Sequence, residues 1–322
     1  MTSVSARTAL RTVAIVSCLP YITLKTAWVA GSRIGIPDGS GLLDHRALMA
    51  VANGGSVLMD GAVVVLALLL TRPWGRRVPA WLLVLPVWTA TGLLLPIMTG
   101  YPAQLLVRTL GGSTGGAEAA GGRPYLSEWV FGVVYGGFIL QGLSLGALFA
   151  LYARDRWGHL WRGTPGELPA SPTAPALRVA AVAASLLALA PGTAHLLWAA
   201  GSTAGLSPNR AAGRDSGFYV LEAVFALWVA VAVAGVLLLA FRRPALPLRV
   251  PLALAWGGSG ATACWGGWLC LGSLNPAAEA AERATPGMVL TYAVQMLVGT
   301  LVVTLGAYFL AERAAGSRGA SA

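Results

Sequence analysis

Charge is what this chain has least of. Acidic residues number 12 and basic ones 22 among 322, 11% in all, where a soluble domain carries about a quarter. Such a surface cannot keep a large globule in water, so a soluble enzyme or binding domain is excluded. Lysine is nearly absent, Lys25 being the single one. Cysteine is also scarce: Cys18, Cys264 and Cys270 have no metal-type spacing, and the last two do not share a helix face. They read as buried apolar residues, which leaves no thiolate metal site. The three histidines are scattered, with His45 and His159 in interfacial settings, and paired carboxylates are lacking. No haem, metal centre or other cofactor is expected.

What the chain has in excess is apolar length. Hydrophobic residues make up 56% and mean hydropathy is +0.70. Runs of about 20 apolar residues, the length that crosses roughly 30 Å of hydrocarbon as a helix, recur eight times. They fall at 12–30, 47–70, 78–98, 129–152, 179–200, 218–241, 250–271 and 288–310. A barrel would need short alternating segments, and lipid tolerates no unpaired backbone, so the fold class expected is an all-α membrane protein with eight transmembrane helices.

The loops sort by charge. Arg7, Arg11, Arg72, Arg76, Arg77, Arg154, Arg156, Arg162, Arg178, Arg242, Arg243, Arg249, Arg313 and Arg318 fall on one side, against Asp155, Glu167 and Glu312. On the other side seven arginines meet seven acids. The positive-inside rule then puts both termini in the cytoplasm of a multi-pass inner-membrane protein. The net charge of +10 is expected to meet the bilayer's anionic lipid headgroups, and nucleic acid is not needed as a partner. Arg7 and Arg11 before an apolar stretch also suit a signal peptide, but no small-residue cleavage pair follows, so the segment reads as a retained first helix.

One fragment occurs twice. Lys25-Thr-Ala-Trp28-Val-Ala-Gly31-Ser32-Arg-Ile-Gly35 returns as His195-Leu-Leu-Trp198-Ala-Ala-Gly201-Ser202-Thr-Ala-Gly205, each copy closing an apolar run. Arg72-Pro73 with Arg77-Val-Pro79 is echoed by Arg243-Pro244 with Arg249-Val-Pro251. The expected organisation is a parallel 4+4 repeat: a first half at 1–162, a cytoplasmic linker at 163–178 and a second half at 179–322. An even number of spans per copy gives a pseudo-twofold axis along the membrane normal, with a site near the interface of the halves. A glycine-rich stretch at 111–122 marks a long outer loop. Gly132 with Gly136, and Gly142 with Gly146, give the fourth span a small-residue face for close packing inside the chain or for a homo-oligomer.

Chemistry must come from the polar residues inside the spans, each costing roughly 2.5 to 3.5 kcal/mol at midplane unless satisfied. Four are ionisable: Lys25, Asp60, His195 and Glu222. Side chains lean toward the start of their own helix. The base on the first helix of each half and the acid on the second therefore lean together, and His195 and Glu222 match better in depth. Asn53, Ser56 and Asp60 form one stripe; Tyr21, Lys25, Trp28 and Ser32 another; Tyr292, Gln295 and Gly299 a third. Gln141 stands isolated. These stripes suit an outward-facing polar pocket around Lys25, Asn53, Asp60, His195 and Glu222. Register-fixing ion pairs and an aromatic belt holding Trp28 and Trp198 are the plainer uses of the same residues. Gly142-Leu-Ser144-Leu-Gly146 spells a nucleophile elbow, but it lies inside a membrane helix rather than on a strand-to-helix turn.

The pattern [His/Lys]-x-x-Trp-Ala/Val-x-Gly-[Gly/Ser], met at Lys25 to Ser32 and His195 to Ser202, resembles that of uncharacterised actinobacterial multispan membrane proteins. The resemblance implies membrane location and an actinobacterial source, with no activity, cofactor or substrate. The leading functional expectation from the residues is a small-solute or proton-coupled permease with an unidentified small-molecule ligand. The alternatives are a lipid- or isoprenoid-modifying enzyme, with Glu222 or Asp60 as acid and His195 as base, and an accessory or sensor subunit without chemistry.

Overall fold

The structure is a computed structural model that describes residues 2–38, 40–43, 46–113, 126–165, 173–242, 246–274 and 280–319. His45, most of the glycine-rich stretch and residues 166–172 of the linker lie outside the described residues. Among those described, every regular element is a helix. Two compact units divide the chain, Met1–Arg156 and Trp157–Ala322.

The first unit holds α1 (Thr2–Val16), α2 (Leu19–Val29), α3 (Arg46–Thr71), α4 (Ala80–Thr109) and α5 (Glu128–Trp157). The second holds α6 (Ala174–Ala199), the short α7 (Pro208–Ala212), α8 (Ser216–Ala240), α9 (Arg249–Ser273) and α10 (Pro286–Gly319). Among the described residues seven stretches are long and apolar enough to cross a membrane: Ala6–Val29, Met49–Thr71, Ala80–Thr109, Glu128–Trp161, Ala174–Ala199, Ser216–Ala240 and Pro286–Ala315. The remaining expected span is a helix of adequate length, α9 with 25 residues, but glycine, serine and threonine dilute its hydropathy.

Several helices run past the boundaries expected from the sequence, and two of the differences have a local reason. The first run is not one helix: it breaks at Ser17 and Cys18, where Cys18 N–H turns back to the Ile15 carbonyl. Pro20 follows immediately; it lacks an N–H and its ring crowds the carbonyl one turn back, the ordinary origin of a helix break. The third run does not stop at Met98. Pro102 removes one backbone bond, but Leu105, Leu106 and Val107 beyond it remain apolar, and α4 continues to Thr109. Arg108, one of the seven arginines expected in the charge-balanced loops, therefore closes the last turn of α4 and pairs with Glu128 at the start of α5. The last helix likewise runs on past Leu310.

Capping sets other ends. The Asp215 carboxylate accepts from Phe218 N–H at 2.8 Å and starts α8. Pro73, after Arg72, ends α3, since the residue before proline is driven out of helical geometry.

In the second unit α6, α8, α9 and α10 pack around one another, α8 touching all three of the others. Small residues make this possible. A Cβ on Gly258 would lie 2.4 Å from the Ala232 nitrogen of α8, and one on Gly299 of α10 would lie 2.4 Å from the Ala263 nitrogen of α9. Backbones this close are how helices attract one another in lipid, where hydrophobicity offers no net driving force. The small-residue face expected on the fourth span is therefore only partly used: Gly142 sits against Met98, whereas Gly136 and Gly146 face open space. Gly258→Val is expected to force α8 and α9 apart at a cost of about 3 kcal/mol, the upper end of overpacking. Gly136→Val should leave stability unchanged. Thermal melting of the two variants in detergent checks the contrast.

Candidate functional site

The two copies of the repeated fragment adopt the same turn. Gly31 (φ 92°) and Gly201 (φ 97°) take left-handed backbone that other residues rarely adopt. Gly31 N–H bonds the Trp28 carbonyl and Ser32 N–H the Ala27 carbonyl; Gly201 bonds Trp198 and Ser202 bonds Leu197 in the same way. This is a Schellman stop, in which glycine lets the chain fold back and satisfy the last carbonyls of the helix. The Trp28 indole donates to the Ile34 carbonyl at 2.7 Å, and Trp198 to Ala204 at 2.9 Å. Both tryptophans are buried, so they lock the turns from inside.

The turn at Gly201 leads into a polar cluster in the second unit. His195 Nδ1 lies 2.5 Å from Glu222 Oε2, and His195 Nε2 lies 2.9 Å from Gln295 Oε1. With Glu222 ionised, its carboxylate accepts from Nδ1–H. Arg210, from α7, reaches Glu222 Oε1 at 3.8 Å and donates to the Tyr292 hydroxyl at 3.0 Å. Trp198 meets the His195 ring edge-on and Phe225 covers it at a tilt, each with centroids 5.3 Å away. His195 is 0% exposed, Gln295 1% and Glu222 2%. The pair foreseen from the lean of α6 and α8 is thus in contact. Tyr292, beside them, is 2% exposed, so these side chains lie inside the unit, with the partly exposed Arg210 reaching in to Glu222. Gly299, on the stripe of Tyr292 and Gln295, serves the α9 contact.

The corresponding residues of the first unit are arranged differently. Asp60 is buried on α3; its Oδ1 accepts from the Gln141 amide of α5 at 3.0 Å, and the same amide lies 3.4 Å from Cys18 Sγ at the break in the first span. Gln141 is therefore not isolated: it joins three helices. Asp60 Oδ2 is buried with no hydrogen-bond partner among the described residues. Lys25 makes no ion pair with Asp60 within 4.0 Å; its ammonium stands 5.0 Å from the Tyr21 ring and 5.0 Å from the Trp28 ring. An ammonium over two aromatic faces is held by cation–π attraction. Tyr21 packs edge-on against Phe138 of α5. Asn53 is buried two turns before Asp60 on the same face, while Ser56 turns its hydroxyl back to the Ala52 carbonyl.

Each unit therefore holds a base at the end of one helix, an acid on the next and a glutamine from its last. In one the acid and base are in direct contact; in the other an acid oxygen and an ammonium have no polar partner among the described residues. Gln141, Arg210 and Cys18 were not identified from the sequence, because their partners lie 81, 12 and 123 positions away. No group of three or more metal-binding side chains occurs among the described residues. Comparison with family models, with curated proteins and with solved structures gives no match for this chain.

Proposed function

We propose that this polytopic membrane protein is a proton-coupled permease for a small polar solute, with the first unit's cluster as its binding site. The observation that carries the reading is Asp60: a buried carboxylate oxygen without a hydrogen-bond partner among the described residues, beside a break in the first span. A buried polar atom normally finds a hydrogen bond, and the cost of denying it one is about 1–3 kcal/mol or more for a charged group. An arrangement that maintains this cost suits a group that picks up and releases a proton or a ligand. Intramembrane acids in pumps and transporters serve this role, and transporter sites commonly form where spanning helices are interrupted. Lys25 supplies the opposite charge, held on aromatic faces and not in direct contact with Asp60. Asn53 and Tyr21 border the same face.

The wider architecture belongs to the same reading. The remaining span is α9, whose small residues replace apolar bulk where it packs closely on α8 and α10. The four-plus-four repeat rests on the matched turns at Gly31 and Gly201. The arginine-rich ends place both termini on the cytoplasmic side of the inner membrane, against anionic headgroups.

The test uses the full chain in liposomes that trap a pH-sensitive dye, with potassium and valinomycin clamping the potential. After a pH step, protein-containing liposomes are expected to dissipate the gradient faster than empty ones, and Asp60→Asn liposomes to match the empty ones. Equal rates for wild type and Asp60→Asn, or for wild type and empty liposomes, would overturn the reading.

A further inference from the structure

The first unit carries a second polar feature, at the opposite end of α3 from the repeated turn. A partly open cleft of about 270 Å³ lies between Arg7 of α1, the turn at Arg72, Pro73 and Arg76, and Tyr152 and Asp155 of α5. Its charge is unbalanced. Asp155 Oδ2 takes Arg7 at 2.5 Å and stands 3.9 Å from Arg76, while Arg154 approaches Oδ1 at 3.6 Å. One carboxylate thus faces three guanidiniums. Arg72 adds a fourth that makes no ion pair or side-chain hydrogen bond among the described residues.

The turn presenting Arg72 and Arg76 is fixed. Tyr152, buried, donates its hydroxyl to the Gly75 carbonyl at 3.0 Å and accepts from Arg156 at 2.6 Å, and Arg156 also donates to the Val78 carbonyl at 3.0 Å. Gly75 lets the turn pack tightly on α3: a Cβ there would lie 1.8 Å from the Leu69 carbonyl oxygen. Arg7 and Asp155 are each 27% exposed, so their pair forms a floor, while Arg76 at 66% remains available at the rim.

We propose that this cleft binds a phosphate group, that of an anionic phospholipid headgroup. The planar guanidinium fork matches phosphate oxygens, and charge-assisted bonds of this kind are roughly twice as strong as neutral ones. The position favours lipid as the source: Trp74, in the same turn, and Trp81, at the start of α4, are 49% and 68% exposed, as suits aromatic residues at a headgroup layer. The site is independent of the transport reading and lies at the other end of α3 from Asn53.

Native mass spectrometry of the detergent-purified full chain tests it with three proteins: wild type, R72Q/R76Q and R178Q/R249Q. The last removes two exposed arginines from the second unit and so matches the loss of charge. Wild type and R178Q/R249Q are expected to retain phosphatidylglycerol in preference to phosphatidylcholine, with R72Q/R76Q weakened at least about tenfold, as loss of two charge-assisted bonds implies. Millimolar inorganic phosphate should displace the lipid only in part; saturable phosphate binding without any phosphatidylglycerol preference would overturn the lipid assignment. Equal weakening in both double variants, which marks diffuse surface charge, or no weakening in R72Q/R76Q, would overturn the site. Melting temperatures without lipid are expected to agree among the three proteins.

Discussion

Asp60→Asn is expected to abolish proton movement in liposomes while leaving melting in detergent unchanged within about 1 kcal/mol. The two halves of this expectation rest on the two oxygens. Oδ1 accepts from Gln141, and an asparagine carbonyl accepts the same bond. Oδ2 has no bond to lose, and removing a buried charge relieves desolvation as much as it forfeits attraction to Lys25. An acid kept only to fix helix register would behave in the opposite way, its neutral isostere weakening the fold and sparing function. A fall in stability with undiminished flux would therefore assign Asp60 to architecture.

The second large effect lies in the other unit and is structural. Glu222→Ala is expected to destabilise the protein by about 3–5 kcal/mol, the usual result of breaking a buried charged pair from one side. Its removal leaves the His195 Nδ1 hydrogen without an acceptor at 0% exposure and leaves Arg210 without the carboxylate it reaches at 3.8 Å. Glu222→Gln keeps an acceptor for His195 and should cost clearly less. Melting of the two variants by intrinsic tryptophan fluorescence measures the difference, Trp198 being in contact with the His195 ring. Equal stability of Glu222→Ala and wild type would show that the cluster contributes no net stability. The contrast between Asp60 and Glu222 separates a group held ready from a group held shut.

Much of this was legible before any coordinates. The lean of side chains along α6 and α8 identified His195 with Glu222, and these atoms meet at 2.5 Å. The glycines that follow Trp28 and Trp198 marked the ends of two helices by the same turn chemistry. The pairing of Lys25 with Asp60 was less complete, since depth along a helix is known from sequence but rotation about its axis is not; the ammonium turned to Tyr21 and Trp28 instead. Gln141 was misjudged for a related reason. On α5 its polar neighbour a turn away is only the small Ser144, and its role exists because α3 and the broken first span come together beside it.

By itself the amino-acid sequence determined the membrane class, the helical runs, the division of charge between their ends and the turns that stop two of them. All of these depend on hydropathy, on backbone rules or on residues within a few positions of one another. Only the tertiary structure decided that one acid is enclosed by His195 and Arg210 while the other keeps a bare oxygen. That outcome depends on how helices distant in sequence rotate and pack, and a small rotation of a helix turns the same side chain from a satisfied partner into an exposed valence.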